Sequence, residues 1–369
     1  MVEILGRAYG CRELAEYFGD ISCVAGMRRF ELVEGRACGV RLTQVRTGSG
    51  LEFEVNETRG MDIGRFSFRG VPIAYSAYGA ECHPAYFEAR DDGWLRSYGG
   101  GLLVMGGLRS TGSPCVDNGE AFPLHGRISN APASFVCAAE VVDPDGTVAY
   151  EVSGDVRESK ALDHNLVLHR TVRSRQGEDA LYIEDTVENQ GFSDQELMLL
   201  YHFNIGHPIV DEGAKLLVHS SSVVPRDENA ERQPEPYDTY IAPVPCYKDI
   251  VYYHRLESAS DGMATAAIVN EKIGLGVYLK FDTHQLPCFT QWKFLGQGNY
   301  VAGIEPGNAF VSGRQRERAQ RGLEVLPARG CKHISIEVGV LSTTAEISAY
   351  QSANGFQSLA REGINDEEV

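Results

Sequence analysis

Three short segments, Pro123-Leu124-His125-Gly126, Tyr201-His202-Phe203-Asn204 and Gly303-Ile304-Glu305-Pro306, each set an ionisable side chain among apolar or small residues. Such a group is costly to hold there without a partner or a task. Two imidazoles and one carboxylate are the equipment for taking a proton from one oxygen and giving it to another near neutral pH. Glu305 follows the strand-like run Asn299–Ile304, and Pro306 is expected to stop the ladder directly after it. His202 follows the apolar run Leu197–Tyr201, and it shares one strand face with Asn204 if the period is two. His207, in Gly206-His207-Pro208, competes for the same role but sits in what reads as a turn. Each group also has a bland reading: a solvated strand end for Glu305, a satisfied core residue for His202, a loop-stabilising turn residue for His125.

Further polar groups could hold a substrate. Arg59-Gly60-Met61-Asp62 ends an alternating run, and Arg65, Arg69, Arg109 and Arg127 follow. A guanidinium fork suits hydroxyls or an acidic substituent, although most such groups form surface ion pairs worth little. Against a strongly acidic chain, these five arginines (59, 65, 69, 109 and 127) predict a substrate carrying an acidic group. Gln291-Trp292-Lys293 offers a flat ring between two polar side chains, the mix that packs on sugar C–H groups and binds their hydroxyls.

The elements that must position these groups read as strands. Leu51, Phe53 and Val55 alternate with Glu52, Glu54 and Asn56; Leu181, Ile183 and Val187 share one parity; Ile334, Ile336, Val338 and Val340 share another. Period-two patterning means a strand with one buried face. Helical signals are short, at Cys11–Tyr17 and Ala345–Ser352. Glycines (40) and prolines (15) punctuate the whole chain rather than pooling in a linker, and strands do not alternate with helices. The expectation is an all-β, single-domain antiparallel sandwich over 31–354, with a cap over 1–30 and an acidic tail over 355–369. The loops Ala80–Tyr98 and Pro225–Pro245 are long, and the second is the candidate rim or lid.

Lysine and arginine number 34 against 51 aspartates and glutamates, a formal charge of −17 that repels phosphate backbones and anionic membranes. No apolar run is long enough for a membrane span. The start, with Arg7, Arg12, Glu13 and Glu16, does not read as a signal peptide. Nine cysteines without a C-x-x-C pair predict free thiols and a cytoplasmic location. No phosphate loop, dinucleotide fingerprint or H-E-x-x-H occurs, so no cofactor is expected. His164 and His169 are five apart, a poor spacing for shared metal ligation on a strand. No seam for self-association stands out.

The order Leu-His-Gly, His…Asn, Glu-Pro, with Gly107-Leu108-Arg109 ahead of the first, resembles the aldose 1-epimerase (galactose mutarotase-like) superfamily. The Leu326-Pro327-Ala328-Arg329-Gly330 segment and the final alternating strand resemble the end of that family. One departure is that His202 and Asn204 stand two apart, where the family commonly has four. The resemblance implies a galactose mutarotase-like supersandwich and cofactor-independent interconversion of sugar anomers. It implies Glu305 as base, His202 as acid, and His125, Arg59, Asp62, Arg109, Arg127, Asn204, Gln291 and Lys293 as substrate-binding groups. The partner would be a monosaccharide or sugar derivative. The rival readings are a non-catalytic sugar-binding or sensing protein, and a carbon-acid isomerase or lyase on the same scaffold.

Overall fold

The computed structural model describes residues 2–4 and 6–356; most of the expected tail, 357–369, lies outside them. Two antiparallel sheets face one another. The larger, of eleven strands, runs in the order Ser220–Pro225, Ile250–Leu256, Cys288–Leu295, Tyr300–Gly307, Leu200–Gly206, Leu103–Gly106, Asp62–Phe68, Leu51–Asn56, Arg41–Arg46, Gly26–Glu31, with Val71–Pro72 paired on 62–68. The smaller, of eight, runs Ala133–Val142, Val148–Ser159, Asn165–Arg175, Ala180–Asn189, Cys331–Leu341, Leu275–Asp282, Met263–Asn270, Lys215–Val218.

The alternating runs become strands with their expected faces inward. Leu51, Phe53 and Val55, Leu181, Ile183 and Val187, and Ile334, Ile336 and Val338 are buried in one core between the sheets. The N-terminal segment packs on that core. Val2 and Leu14 belong to it, a short helix spans Cys11–Tyr17, and strand 26–31 is the last strand of the large sheet. The C-terminal helix is Thr344–Ala353, with the Thr343 hydroxyl accepting from the Glu346 N–H at its start. Among the described residues, no helix is long and apolar enough to cross a membrane, and the cysteines from Cys23 onward are free thiols.

Two core positions break the apolar pattern. Arg170 shares its parity with Leu166, Leu168 and Val172, and Asp185 with Leu181 and Ile183, so both charges point into the core. They are cross-strand partners. Arg170 donates from Nε to Asp185 Oδ1 (2.9 Å) and from Nη2 to Asp185 Oδ2 (2.6 Å). Across the gap, its Nη1 reaches Asp62 Oδ1 at 3.3 Å, and the Tyr201 hydroxyl donates to Asp185 Oδ2 at 2.6 Å. The group thus pins two strands of the small sheet to strands 62–68 and 200–206 of the large one. Burial opposes the Arg170 charge, but Asp185 more than offsets it and holds the guanidinium protonated. Burial lifts the Asp62 carboxyl to about 7, only partly countered by Arg170.

Removing one partner of a buried ion pair leaves the other uncompensated, at about 3–5 kcal/mol. Arg170→Met is therefore expected to lower the urea-unfolding free energy by about that much. A loss under about 1 kcal/mol, the scale of an exposed pair, would show that the network does not hold the sheets together.

Candidate active site

The large sheet has a second face, turned away from the core, and the candidate site lies on it. In strand 200–206, Tyr201, Phe203 and Ile205 point into the core, which leaves His202 and Asn204 on the outer face. In strand 300–307, Ile304 and Ala302 point inward, leaving Val301, Gly303 and Glu305 outward. Leu200 pairs with Gly307 and Asn204 with Gly303, so His202 stands directly across from Glu305. Pro306 does not end the ladder: it pairs with Phe289, and Gly307 pairs with Cys288. A proline can sit there because its missing N–H removes only one donor at the end of the strand.

His202 Nε2 lies 3.2 Å from Glu305 Oε1, and both residues are almost wholly buried. The contact lacks hydrogen-bond alignment, so Glu305 Oε1 has no hydrogen-bond partner in the protein, and neither has the other ring nitrogen, His202 Nδ1. The carboxyl fits only because position 303 is glycine. A Cβ there would stand 2.4 Å from Glu305 Oε1 and 3.0 Å from Trp292 Cβ. Asn204 sits under the pair as a strut. Its Nδ2 donates to the carbonyls of His202 (2.9 Å) and Gly101 (3.1 Å), and its Oδ1 accepts from the Tyr98 hydroxyl (2.9 Å).

Around the pair is a cavity of about 340 Å³, a size suited to a small molecule. Its floor is His202, Glu305, Thr290, Trp292 and Val251, all on the outer face; its roof comes from Trp94, Leu95, Tyr98 and His125. The rings interlock. Trp94 lies 4.7 Å from Tyr98 and 4.9 Å from His125, His125 lies 5.4 Å from His202, and His202 lies 5.3 Å from Trp292. The Trp94 indole is fixed by donating to Ser129 Oγ at 3.1 Å. His125 adopts φ +54 and its Nδ1 accepts from the Gly112 N–H at 3.4 Å. The neutral ring therefore carries its proton on Nε2.

Burial governs the electrostatics. It raises the Glu305 carboxyl well above the usual carboxylate range, with Arg226 offsetting part of the rise. It lowers His202 well below the usual imidazole range, helped by His125, and brings His125 down to about 4. Burial thus favours the neutral form of each group, a protonated carboxyl beside a neutral imidazole. The ionic arrangement, carboxylate beside imidazolium, differs from it by a transfer across the 3.2 Å contact.

Of the sequence-derived candidates, His125, His202 and Glu305 line the cavity. His207 is exposed near Asp211 and lies outside it. Six expected binding groups point elsewhere. Arg59 is buried, donating to the carbonyls of Cys82 (3.0 Å) and Ser97, so it ties down both ends of the 80–98 loop. Asp62 belongs to the Arg170 network. Arg109 is held by both oxygens of Glu120 at 2.9 Å, and Arg127 reaches the Ala121 carbonyl. Gln291 and Lys293 take the opposite strand parity from Trp292 and face inward. Gln291 donates to the Tyr237 carbonyl (2.7 Å) and Lys293 to that of Thr239 (2.7 Å). The expected rim or lid loop, 225–245, brings Arg226 to the cavity and beyond it turns toward the core, with Tyr240 fully buried, while the 80–98 loop supplies most of the roof.

The five arginines that suggested an acidic substrate thus lose their place: Arg65 and Arg69, like the other three, lie outside the cavity. Arg226 lines it instead, and is already matched by Asp227 (2.8 Å) and Asp249 (3.0 Å). Trp94, Tyr98, Thr290, Arg226 and Asp249 were not found by sequence reasoning. Of these only Trp94, one of two tryptophans and set in a polar loop, carried a visible signal.

Two facing antiparallel sheets of this kind match the galactose mutarotase-like fold. Within it, the chain belongs to the DUF4432 family, a domain of unknown function, matched over residues 37–340. Among solved structures, a protein provisionally named an aldose 1-epimerase from Klebsiella pneumoniae subsp. pneumoniae MGH 78578 is 25% identical, with a TM-score of 0.84 over 89% of this chain and 86% of that one. A galactose mutarotase-like protein from Clostridium acetobutylicum (13% identity, TM-score 0.61, 87% of this chain and 100% of that one) shares the fold. So does galactose 1-epimerase from Lactobacillus acidophilus NCFM (10%, 0.54, 86% and 98%). No curated protein matches the sequence.

Gly303→Ala tests the packing of the carboxyl. The added methyl group must displace the Glu305 carboxyl or the Trp292 side chain, an overpacking cost of about 1–3 kcal/mol in urea unfolding. Unchanged stability, with the Glu305 carboxyl unmoved in the variant's crystal structure, would show that the site is looser than described.

Proposed function

We propose that the protein catalyses cofactor-independent interconversion of sugar anomers. The observation that carries this reading is the buried His202–Glu305 pair, 3.2 Å apart and opening on an aromatic-lined cavity. An acid and a base held in one dry site can exchange protons with two oxygens of one substrate. In the ionic arrangement, the Glu305 carboxylate takes the proton of the C1 hydroxyl. The electrons of that O–H bond form the aldehyde C=O as the bond from C1 to the ring oxygen breaks. The His202 imidazolium protonates the departing ring oxygen. Rotation about C1–C2 then presents the other aldehyde face, and the two transfers reverse to close the ring.

Neutral at working pH, His125 would donate from Nε2 to a sugar oxygen. Trp94 and Trp292 would pack on C–H faces, and the matched Arg226–Asp249 pair would meet hydroxyls. The likeness to structures named as epimerases supports the same reading.

Anomeric exchange measured by NMR on neutral and acidic aldoses tests it. Glu305→Gln and His202→Gln should each reduce the acceleration by about 10²–10⁴-fold. The reaction needs one proton on the pair and burial raises Glu305, so kcat/KM should fall as pH rises through the Glu305 midpoint, a basic limb that lies above the usual carboxylate range. Full acceleration in Glu305→Gln would overturn the assignment. Sugar binding without any acceleration by the wild type would favour a sensor.

A further inference from the structure

Four hydrogen-bonding atoms without a partner in the protein fall on one cross-strand row. They are Tyr253 Oη, Thr290 Oγ1, Glu305 Oε1 and His202 Nδ1. The register sets Tyr253 across from Thr290 and Thr290 across from Glu305, with His202 on the far side of Glu305. Thr290 is 1% exposed and lines the cavity. Unpartnered buried polar atoms are rare because each has lost water without gaining a bond, so a run of them beside one carboxyl calls for a cause.

Resting on the proposed anomerase reading, we propose that Thr290 is a positioning residue whose hydroxyl donates to the Glu305 carboxylate when that group gives up its proton. A protonated carboxyl has less need of donors than a carboxylate, and the Thr290 hydroxyl has no partner in the structure. Once the proton passes to His202, a carboxylate is left in a dry site, and each donor that reaches it favours the charged form. Cross-strand Cβ atoms lie about 4.5–5.5 Å apart, so turning the Thr290 side chain brings Oγ1 to the carboxylate. The Tyr253 hydroxyl, next in the row, backs Thr290.

The other titratable or charged groups facing Glu305 do not replace this donor. His202 is the proton's other holder, and His125 lies behind it at 5.4 Å. The Tyr98 hydroxyl is spent on Asn204 Oδ1, and Arg226 is held by Asp227 and Asp249.

The test removes the hydroxyl and keeps the shape. In protein labelled with carboxyl-¹³C glutamate, the Glu305 resonance is assigned with Glu305→Gln and titrated. Thr290→Val should raise its midpoint by about one pH unit, a tenfold loss of the ionised form at any lower pH, and Thr290→Ser should restore it. Tyr253→Phe should raise it by less. If the anomerase reading holds, Thr290→Val also lowers kcat with KM little changed. A Glu305 midpoint unmoved in Thr290→Val, or Thr290→Ser behaving like Thr290→Val, overturns the proposal. The titration needs no turnover, so absent anomeric exchange would remove the proposed reaction and leave the role of Thr290 to be decided by the midpoint.

Discussion

A guanidinium with no access to solvent sits between the two sheets, and the placement of the site depends on it. Arg170 joins Asp185 on its own sheet to Asp62 on the other, and Asp185 also receives the hydroxyl of Tyr201. Tyr201 is the residue before His202, with its side chain on the opposite face of the same strand. The ion group therefore fixes, from behind, the strand that presents the histidine. A buried pair of this kind gains little over well-packed apolar side chains, because desolvation consumes most of the attraction. Its value here is geometric: charge and hydrogen-bond direction set a register that apolar contacts, being non-directional, would leave looser.

On the outer face the same sheet supports a second costly burial. Glu305 and His202 are both removed from water, and burial drives each toward its neutral form. Two such groups side by side, each resisting charge, suit the passing of one proton in either direction. That symmetry suits a reaction whose forward and reverse steps exchange the same two protons. The surroundings keep the balance: Gly303 leaves room for the carboxyl, Asn204 ties the strand to Tyr98, and Arg59 anchors the loop that supplies the roof.

The alternating runs were enough to read strands with the right inward faces, because burying one side of a pleated strand forces a period of two. The ionisable residues among small neighbours stood out for an equally local reason. Polar residues without local strain or pattern did not. Arg59, Arg109, Gln291 and Lys293 look like substrate-binding groups in the sequence, yet their side chains hold loops and carbonyls. For Gln291 and Lys293 the difference is one step of parity beside Trp292, which decides between cavity and core.

The sequence by itself determined that this chain folds as an antiparallel β-sandwich and that His125, His202 and Glu305 are its unusual ionisable groups. Both follow from short-range chemistry, namely side-chain alternation and the cost of charge among apolar neighbours. Only the tertiary structure decided that His202 faces Glu305 at 3.2 Å, that Thr290 and Tyr253 extend the row, and that the 80–98 loop closes the cavity. Those facts depend on which strands become neighbours and in what register. Pairings between residues a hundred positions apart, such as His202 with Glu305, leave no trace in local pattern, because they are fixed by the packing of the whole core.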